Sequence, residues 1–550
     1  MLLQPMRLMI IRVIRSSRWV VCAGLIIVLF SYSSMVNSQE VSQSVDASID
    51  ESAQPSFQLN ELRVLGNSVL SALKISQVLT PYLGPEKNIK DVEAARTAIE
   101  NEYHAQGYGT VFVDIPEQTI GDDGVVRLRV TESRLQRAEI TGARYFSNRQ
   151  IRAAIPQAAE NTVPNLPQLQ AQINAVNGVT ADRSVVPALK AGTEPATVAL
   201  GLKVQDELPF HGSFELNNQY TSDTKPLRSA LGLSYDNAFG RQDSFSLQYQ
   251  TAPQDNKQVS VYAASYMAHV NEGDNTDRVM VTAINSSSKV ATIGNINVAG
   301  KGKTFGLQWL HTLQNTSSVT SAFNLGFDYK DSAQSVRLSA TDALDTPLSY
   351  STLQAGYNWI HRQEKSTWAL ENSLTIGIPS LGVSRVEFAD KCYGCKPNFS
   401  VLRSQVSYIH GLPWNLTGSW QVSGQYSVEP LISNEQKLIG GAHTVRGYLE
   451  AEELGDIGIN SSFELRAKDY QVLKTVQLAP YIFFDAGYVS FQEPLPGQKR
   501  SEGLQSAGLG FEIKAHDYLT GTLVLADPMT TTNKTKRGDT RVEFLLRTTW

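Results

Sequence analysis

The terminal stretch RVEFLLRTTW, residues 541–550, sorts by parity. Val542, Phe544, Leu546 and Trp550 fall on one side, and Arg541, Glu543, Arg547 and Thr549 on the other. Successive side chains of a β-strand point to opposite faces, so this stretch presents one apolar and one charged face. The same alternation sets Phe245, Leu247 and Tyr249 against Ser244, Ser246 and Gln248, and Leu231, Leu233 and Tyr235 against Gly232 and Ser234. From Leu208 to Trp550 helical spacing is absent, which restricts this length of chain to antiparallel strands. Two folds fit. In a soluble sandwich the apolar face covers a core and the arginines meet water. In a membrane barrel the apolar face meets lipid and the charges line a wet lumen. Alternation alone does not choose between them.

The amino terminus supplies the setting. Arg7, Arg12, Arg15 and Arg18 precede an apolar run from Trp19 to Phe30, and Val36-Asn37-Ser38 is small enough at its two key positions for signal peptidase. The pattern reads as a secretory signal over residues 1–38. The run is shorter than the roughly 20 apolar residues of a spanning helix. Cys22 follows Val21 rather than a small residue, which argues against a lipoprotein anchor. Cleavage removes four arginines and no acid, taking the formal net charge from −5 to −9, so no basic field for nucleic acid remains. Export, aromatic residues near strand ends and the terminal Trp550 together favour the barrel. About sixteen strands of about 9–11 residues would use roughly half of residues 208–550 and leave the rest for turns and outer loops. Closure also bonds every backbone group, as hydrocarbon demands.

Residues 39–56, QEVSQSVDASIDESAQPS, are polar and acidic and read as a flexible lead. The texture then changes. QLNELRVLG reads as a strand, SALKISQVLTPYL and IKDVEAARTAIENEYHAQG as helices, and VFVDIPEQTI and VVRLRVTES as a hairpin about GDDG. The order strand, helix, helix, strand, strand recurs in RAEITG, NRQIRAAI, LPQLQAQINAV, SVVPALKAG and TVALGLKVQ, with Gly66 and Gly142 at matching points. That is the signature of a repeated module, over 57–135 and 136–207. A single irregular α+β domain is the alternative.

Within the alternating region, GGAHTVRGY (440–448) carries three glycines, one arginine and one tyrosine. It lacks the Gly-Lys-Ser/Thr ending of a phosphate loop. Further on, in PYIFFDAGYV, Ile482, Phe484, Ala486 and Tyr488 share the lipid-facing parity, so Asp485 faces the lumen with Phe483 and Gly487. An inward carboxylate calls for a cation, and the planar fork of Arg446 suits one. The reading is an inward-folded loop, about 430–457, with its tip at 445–448; an ordinary surface turn is the alternative.

Two modules of this order followed by a carboxy-terminal barrel resemble the transporters of two-partner secretion, whose modules are called POTRA domains. Their superfamily includes the outer-membrane protein assembly factor. Val445, Arg446, Gly447 and Tyr448 match the VRGY loop tip of those proteins, and Phe483, Asp485 and Gly487 match an F-x-D-x-G motif on the barrel wall. DELPFHGSFELNNQY, from Asp206, resembles their approach to the first barrel strand. The resemblance implies an outer-membrane pore, with its modules in the periplasm, that captures an unfolded exported client such as an adhesin or haemolysin and secretes it through the barrel. The alternative is an assembly factor that inserts other membrane proteins, although its relatives usually carry more modules. Implied partners are the client, outer-membrane lipid and the machinery that assembles barrels.

Better-known members begin with a plugging helix and a linker. Residues 39–56 offer only Val41, Val45 and Ile49 as large aliphatics, too little for both. Cys392 and Cys395, in DKCYGCKPN, have neither the helix of a redox site nor two further zinc ligands, and read as a small loop disulfide. The histidines are scattered, with no HExxH and no G-x-S-x-G. No catalytic residue, metal or cofactor is assigned.

Overall fold

The structure is a computed structural model. It describes residues 56–550 except 272–275, 289, 294–295, 300, 333–334, 338–342, 346–347, 380, 382–386 and 389–391. The signal over 1–38 and the lead over 39–55 lie outside the described residues. The chain divides at Pro209 and Phe210 into two compact units.

The first unit holds two small α+β arrangements. In the first, Glu61–Leu65 pairs in parallel with Val125–Glu132, which pairs antiparallel with Val111–Asp114. Two helices, Ala72–Leu79 and Ile89–Ala105, lie between them in sequence. The longer helix starts at a reciprocal cap between Asn88 and Asp91. It buries Val92, Ala95, Ile99 and Tyr103, spaced as one helical face, in a core with Val111, Val113, Val126, Leu128 and Val130. One detail departs from the sequence reading. QLNELRVLG forms two strands, Phe57–Leu59 and Glu61–Leu65, and the first pairs with Gly84–Lys87 between the helices. The break falls at Asn60, whose N–H donates to the Gly124 carbonyl instead.

The second arrangement repeats the plan. It comprises Glu139–Thr141, the helices Asn148–Ala153 and Leu166–Val179, and the strands Arg183–Ala191 and Thr197–Asp206. Thr197–Asp206 lies between the other two strands, parallel to the first and antiparallel to the second. The repeat reaches atomic detail. Gly66 and Gly142 have φ of +87° and +85°, and a Cβ on either would collide with a carbonyl of the last strand, Val130 or Val204. That φ and that approach both require glycine. Two residues beyond each carbonyl, a carboxylate caps the turn that follows the glycine. Glu132 accepts from the Ser68 and Val69 N–H groups at 2.7 and 2.9 Å. Asp206 accepts from those of Arg144, Tyr145 and Phe146 at 2.9, 2.8 and 3.0 Å. Burial pushes the Glu132 carboxyl up, but the hydrogen bonds from Ser68, Val69 and Tyr103 outweigh it, and its pKa falls below the ordinary value.

The second unit is a closed antiparallel barrel of sixteen spanning strands from Phe210–Asn217 to Arg541–Thr549. Strands meet at one end in short turns, such as 316–318, 363–365 and 413–415, and at the other in long loops, such as 379–399 and 428–456. In outer-membrane barrels the short turns are periplasmic and the long loops extracellular. Leu247, Leu307, Leu353, Ile482 and Val542 are among the exposed apolar side chains of the outer wall, the face that the sequence alternation expects to meet lipid. First and last strands close the ring, pairing Ser213–Asn217 with Leu545–Thr549. Gly212 and Trp550 exchange backbone hydrogen bonds at 3.0 Å. Arg547 Nε donates to Glu215 Oε2 at 2.9 Å across the same seam.

Candidate functional site

The loop between the strands Leu416–Ser427 and Ile457–Arg466 folds back against the inner wall. Its short antiparallel ladder joins Lys437–Ile439 to Glu453–Gly455. Beyond the ladder Val445, Arg446 and Tyr448 are buried, although polar loop tips ordinarily sit in water. Arg446 grips Asp485 with two parallel hydrogen bonds, Nε to Oδ2 and Nη2 to Oδ1, both 2.8 Å, and its backbone N–H reaches the same carboxylate at 3.1 Å. Asp485 is 1% exposed. Such bidentate pairs fix orientation as well as contributing energy. Arg446 also donates to Glu464 at 3.2 Å and Ser462 at 3.0 Å, and its guanidinium lies 3.6 Å from the Phe483 ring centre. Burial alone would loosen the proton of Arg446; the Asp485 carboxylate overrides this and the pKa rises, so the side chain stays a cation.

The rest of the tip docks around this pair. Val445 packs with Ile439, Tyr448, Val489 and Leu504. A Cβ on Gly487 would come within 2.9 Å of Val445 Cγ2, so the wall is bare where the tip approaches. Gly447 donates its N–H to Glu543 at 2.8 Å. The Tyr448 hydroxyl lies 2.9 Å from the carbonyls of Gln505 and Thr530 and accepts from the Thr530 N–H. The structure thus brings Val445, Arg446, Gly447 and Tyr448 together with Phe483, Asp485 and Gly487. Cys392 and Cys395 lie elsewhere. They form a disulfide in the outer loop 379–399, in an apolar cluster with Phe388, Phe399, Leu431 and Ile432.

Several participants are not singled out in the sequence as neighbours of the tip. Glu464 and Glu543 are wall carboxylates, detectable only as inward parity in their strands. Glu435, at the root of the loop, is 2% exposed. It accepts from Lys330 Nζ at 2.6 Å, the Tyr350 hydroxyl at 2.9 Å and Arg403 Nη2 at 3.1 Å. Burial pushes its carboxyl up, but Lys330 and Arg403 overcome this and hold it at about 2. Its one sequence signal is a lone acid between the apolar pairs Leu431–Ile432 and Leu438–Ile439. Glu450 accepts from the Ala442 N–H at 2.9 Å, and burial pushes it up to about 7.

Comparison with known proteins places this geometry. The sequence profile of the haemolysin secretion/activation proteins ShlB/FhaC/HecB matches residues 197–514, more than half of the chain, and that of the ShlB-type POTRA domain matches residues 57–133. The heme/hemopexin transporter protein HuxB of Haemophilus influenzae is 23% identical over 479 residues, covering 83% of this chain and 81% of its own length. The outer membrane transporter CdiB of Dickeya dadantii is 21% identical over 452 residues, covering 76% and 74%. Among solved structures, CdiB from Escherichia coli superposes with a TM-score of 0.62 at 18% identity, covering 93% of each chain.

Proposed function

The chain belongs to the haemolysin secretion/activation protein family ShlB/FhaC/HecB, and on that premise we propose how its parts divide the work. It is an outer-membrane transporter that secretes a partner protein through its barrel, with its POTRA domains in the periplasm. The modules, bounded at about 57–135 and 136–207, take up the unfolded client by pairing an extended segment with an exposed strand edge. Arg183–Ala191 fits such a role, pairing with Thr197–Asp206 on one side only and leaving Val186 and Leu189 exposed. Residues 445–448 are the tip of a loop that docks on Asp485 and occupies the lumen until the client displaces it. Free energy comes from the client folding outside. Outer-membrane lipid surrounds the barrel, and the cell's barrel-assembly machinery inserts it.

The observation that carries export over insertion of other proteins is the closed seam. An insertion factor must release strands sideways into lipid, whereas the terminal strands here are paired from Ser213–Asn217 to Leu545–Thr549 and an ion pair, Arg547–Glu215, crosses between them. The test is to lock the seam with a disulfide between Leu216→Cys and Leu546→Cys, which face each other in register. Export by the oxidised barrel should match that of the reduced one. Loss of export on oxidation, restored by reductant, would transfer the case to lateral release.

A further inference from the structure

The inward-folded loop is held at a second place, Glu435, whose partners belong to other strands. At the tip, Arg446 and Tyr448 meet the strands Ile457–Arg466, Val476–Ser490 and Ser501–Ala515, and Gly447 meets Arg541–Thr549. At the root, Glu435 meets Val319–Ser332 through Lys330, Leu348–Arg362 through Tyr350 and Ser400–Leu412 through Arg403. Its carbonyl also accepts from Gln425 of Leu416–Ser427 at 2.9 Å. Glu435 itself shares no strand with these contacts of the tip, although Asp456, which accepts from the Leu431 N–H, donates its own N–H to Ser490 of Val476–Ser490. Beside the acid, Leu431 and Ile432 sink into the apolar cluster of Tyr350, Phe388, Phe399 and Val401. The outer mouth therefore grips the root through both charge and apolar surface.

The polarity of the two holds is opposite. The root offers an anion to wall cations, and the tip offers a cation to wall anions. Exchanging the two docking sites would set Glu435 against Asp485 and Glu464, and Arg446 against Lys330 and Arg403, and like charges brought together in a partly dehydrated lumen repel. Opposite signs thus distinguish the two docking sites from each other.

We propose that Glu435 is a positioning residue that latches the root of the loop at the outer mouth, and that this latch and the Arg446 anchor release independently. The proposal deepens the export reading and rests on it. Release at the root opens the end from which the client leaves, while the tip stays on Asp485. Release at the tip clears the middle of the lumen while the root stays in place.

The test uses the full-length barrel in lipid with a nitroxide at either of two exposed loop positions, Ser433→Cys or His443→Cys; the paired Cys392 and Cys395 do not react. Glu435→Gln should sharpen the spectrum at 433 and leave 443 unchanged, and Arg446→Ala should do the reverse. Lys330→Met, which keeps Glu435 and removes one partner, should give a smaller mobilisation confined to 433 and serves if Glu435→Gln fails to insert. Client export per inserted barrel should fall at least about threefold in Glu435→Gln. An unchanged spectrum at 433, or equal mobilisation at both labels, overturns the independent latch. Unchanged export with 433 mobilised overturns the positioning role. Because the spectra are read without client, a failed latch is distinguishable from a failed export reading.

Discussion

Replacing Arg446 with alanine gives the strongest expected effect in the lumen, and its size follows from what is stranded. Asp485 is 1% exposed and takes three of its hydrogen bonds from Arg446, two from the guanidinium and one from the backbone. Removing one partner of a buried ion pair costs about 3–5 kcal/mol, because the remaining charge keeps its desolvation penalty. At about 1.4 kcal/mol per factor of ten, the ratio of docked to undocked loop should fall by a factor on the order of 10² to 10⁴. The barrel should still assemble, since its strand pairs and lipid face are untouched. Asp485→Ala should cost less, because Arg446 keeps Glu464 at 3.2 Å and Ser462 at 3.0 Å. The double replacement should be no worse than Arg446→Ala alone, since residues sharing one network give non-additive losses. The assay is client secreted per folded barrel for wild type, the two single variants and the double. Additive losses, or full export by Arg446→Ala, would refute the coupling.

Further expectations concern other contacts. Gly441→Ala should undock the loop without unfolding the barrel, because φ at 441 is +99° and a Cβ there would strike the Glu450 carboxyl; unchanged protease resistance of the loop would contradict this. Glu450 is neutral in the docked loop below about pH 7, with Glu543, Arg541 and Arg228 as its charged surroundings. A raised folded pKa favours docking fully below the ordinary carboxyl value near 4.5 and loses that advantage as pH rises to about 7. Loop opening in planar bilayers should therefore be more frequent at pH 8 than at pH 5, and Glu450→Gln should flatten the dependence; a pH effect that survives the substitution would assign it elsewhere. Replacing Cys392 and Cys395 with serine should change export less than about twofold, since so short a loop has little chain entropy to lose; a collapse at constant barrel level would point to a role in the client's path. Glu132→Ala leaves the Ser68 and Val69 N–H groups without their acceptor and should destabilise the first module by about 1–3 kcal/mol, visible as faster proteolysis within 57–135 of the intact chain.

The residues differ in how far sequence alone could place them. Parity in RVEFLLRTTW and PYIFFDAGYV is a local property of one strand, so the sequence alone separates the lipid face from the lumen face. Gly66 and Gly142 could be matched by their place in the repeat, but the carboxylates that cap the turns after them, Glu132 and Asp206, are separated from those turns by some sixty residues and carry no pattern of their own. The same limit hides the root of the loop. Lys330 and Glu435 are 105 residues apart and meet only because the barrel closes. The motif around Arg446 and the parity of Asp485 suggested a pair at a separation of 39 residues, whereas nothing in the spacing of Glu464 or Glu543 marks them as neighbours of the tip. The split of QLNELRVLG at Asn60 was illegible for the same reason, since the Gly124 carbonyl that interrupts it is distant in sequence and is brought alongside by the pairing of Glu61 with Val125.

Export through the lumen is tested most directly by trapping a client in transit and cross-linking it from the two faces of one wall. Photoreactive residues at Gln248 and Gln354 face inward, and at their neighbours Leu247 and Leu353 they face lipid. The account predicts client adducts from 248 and 354 and none above background from 247 and 353. Adducts from the lipid-facing pair, with the lumenal pair silent, would contradict it.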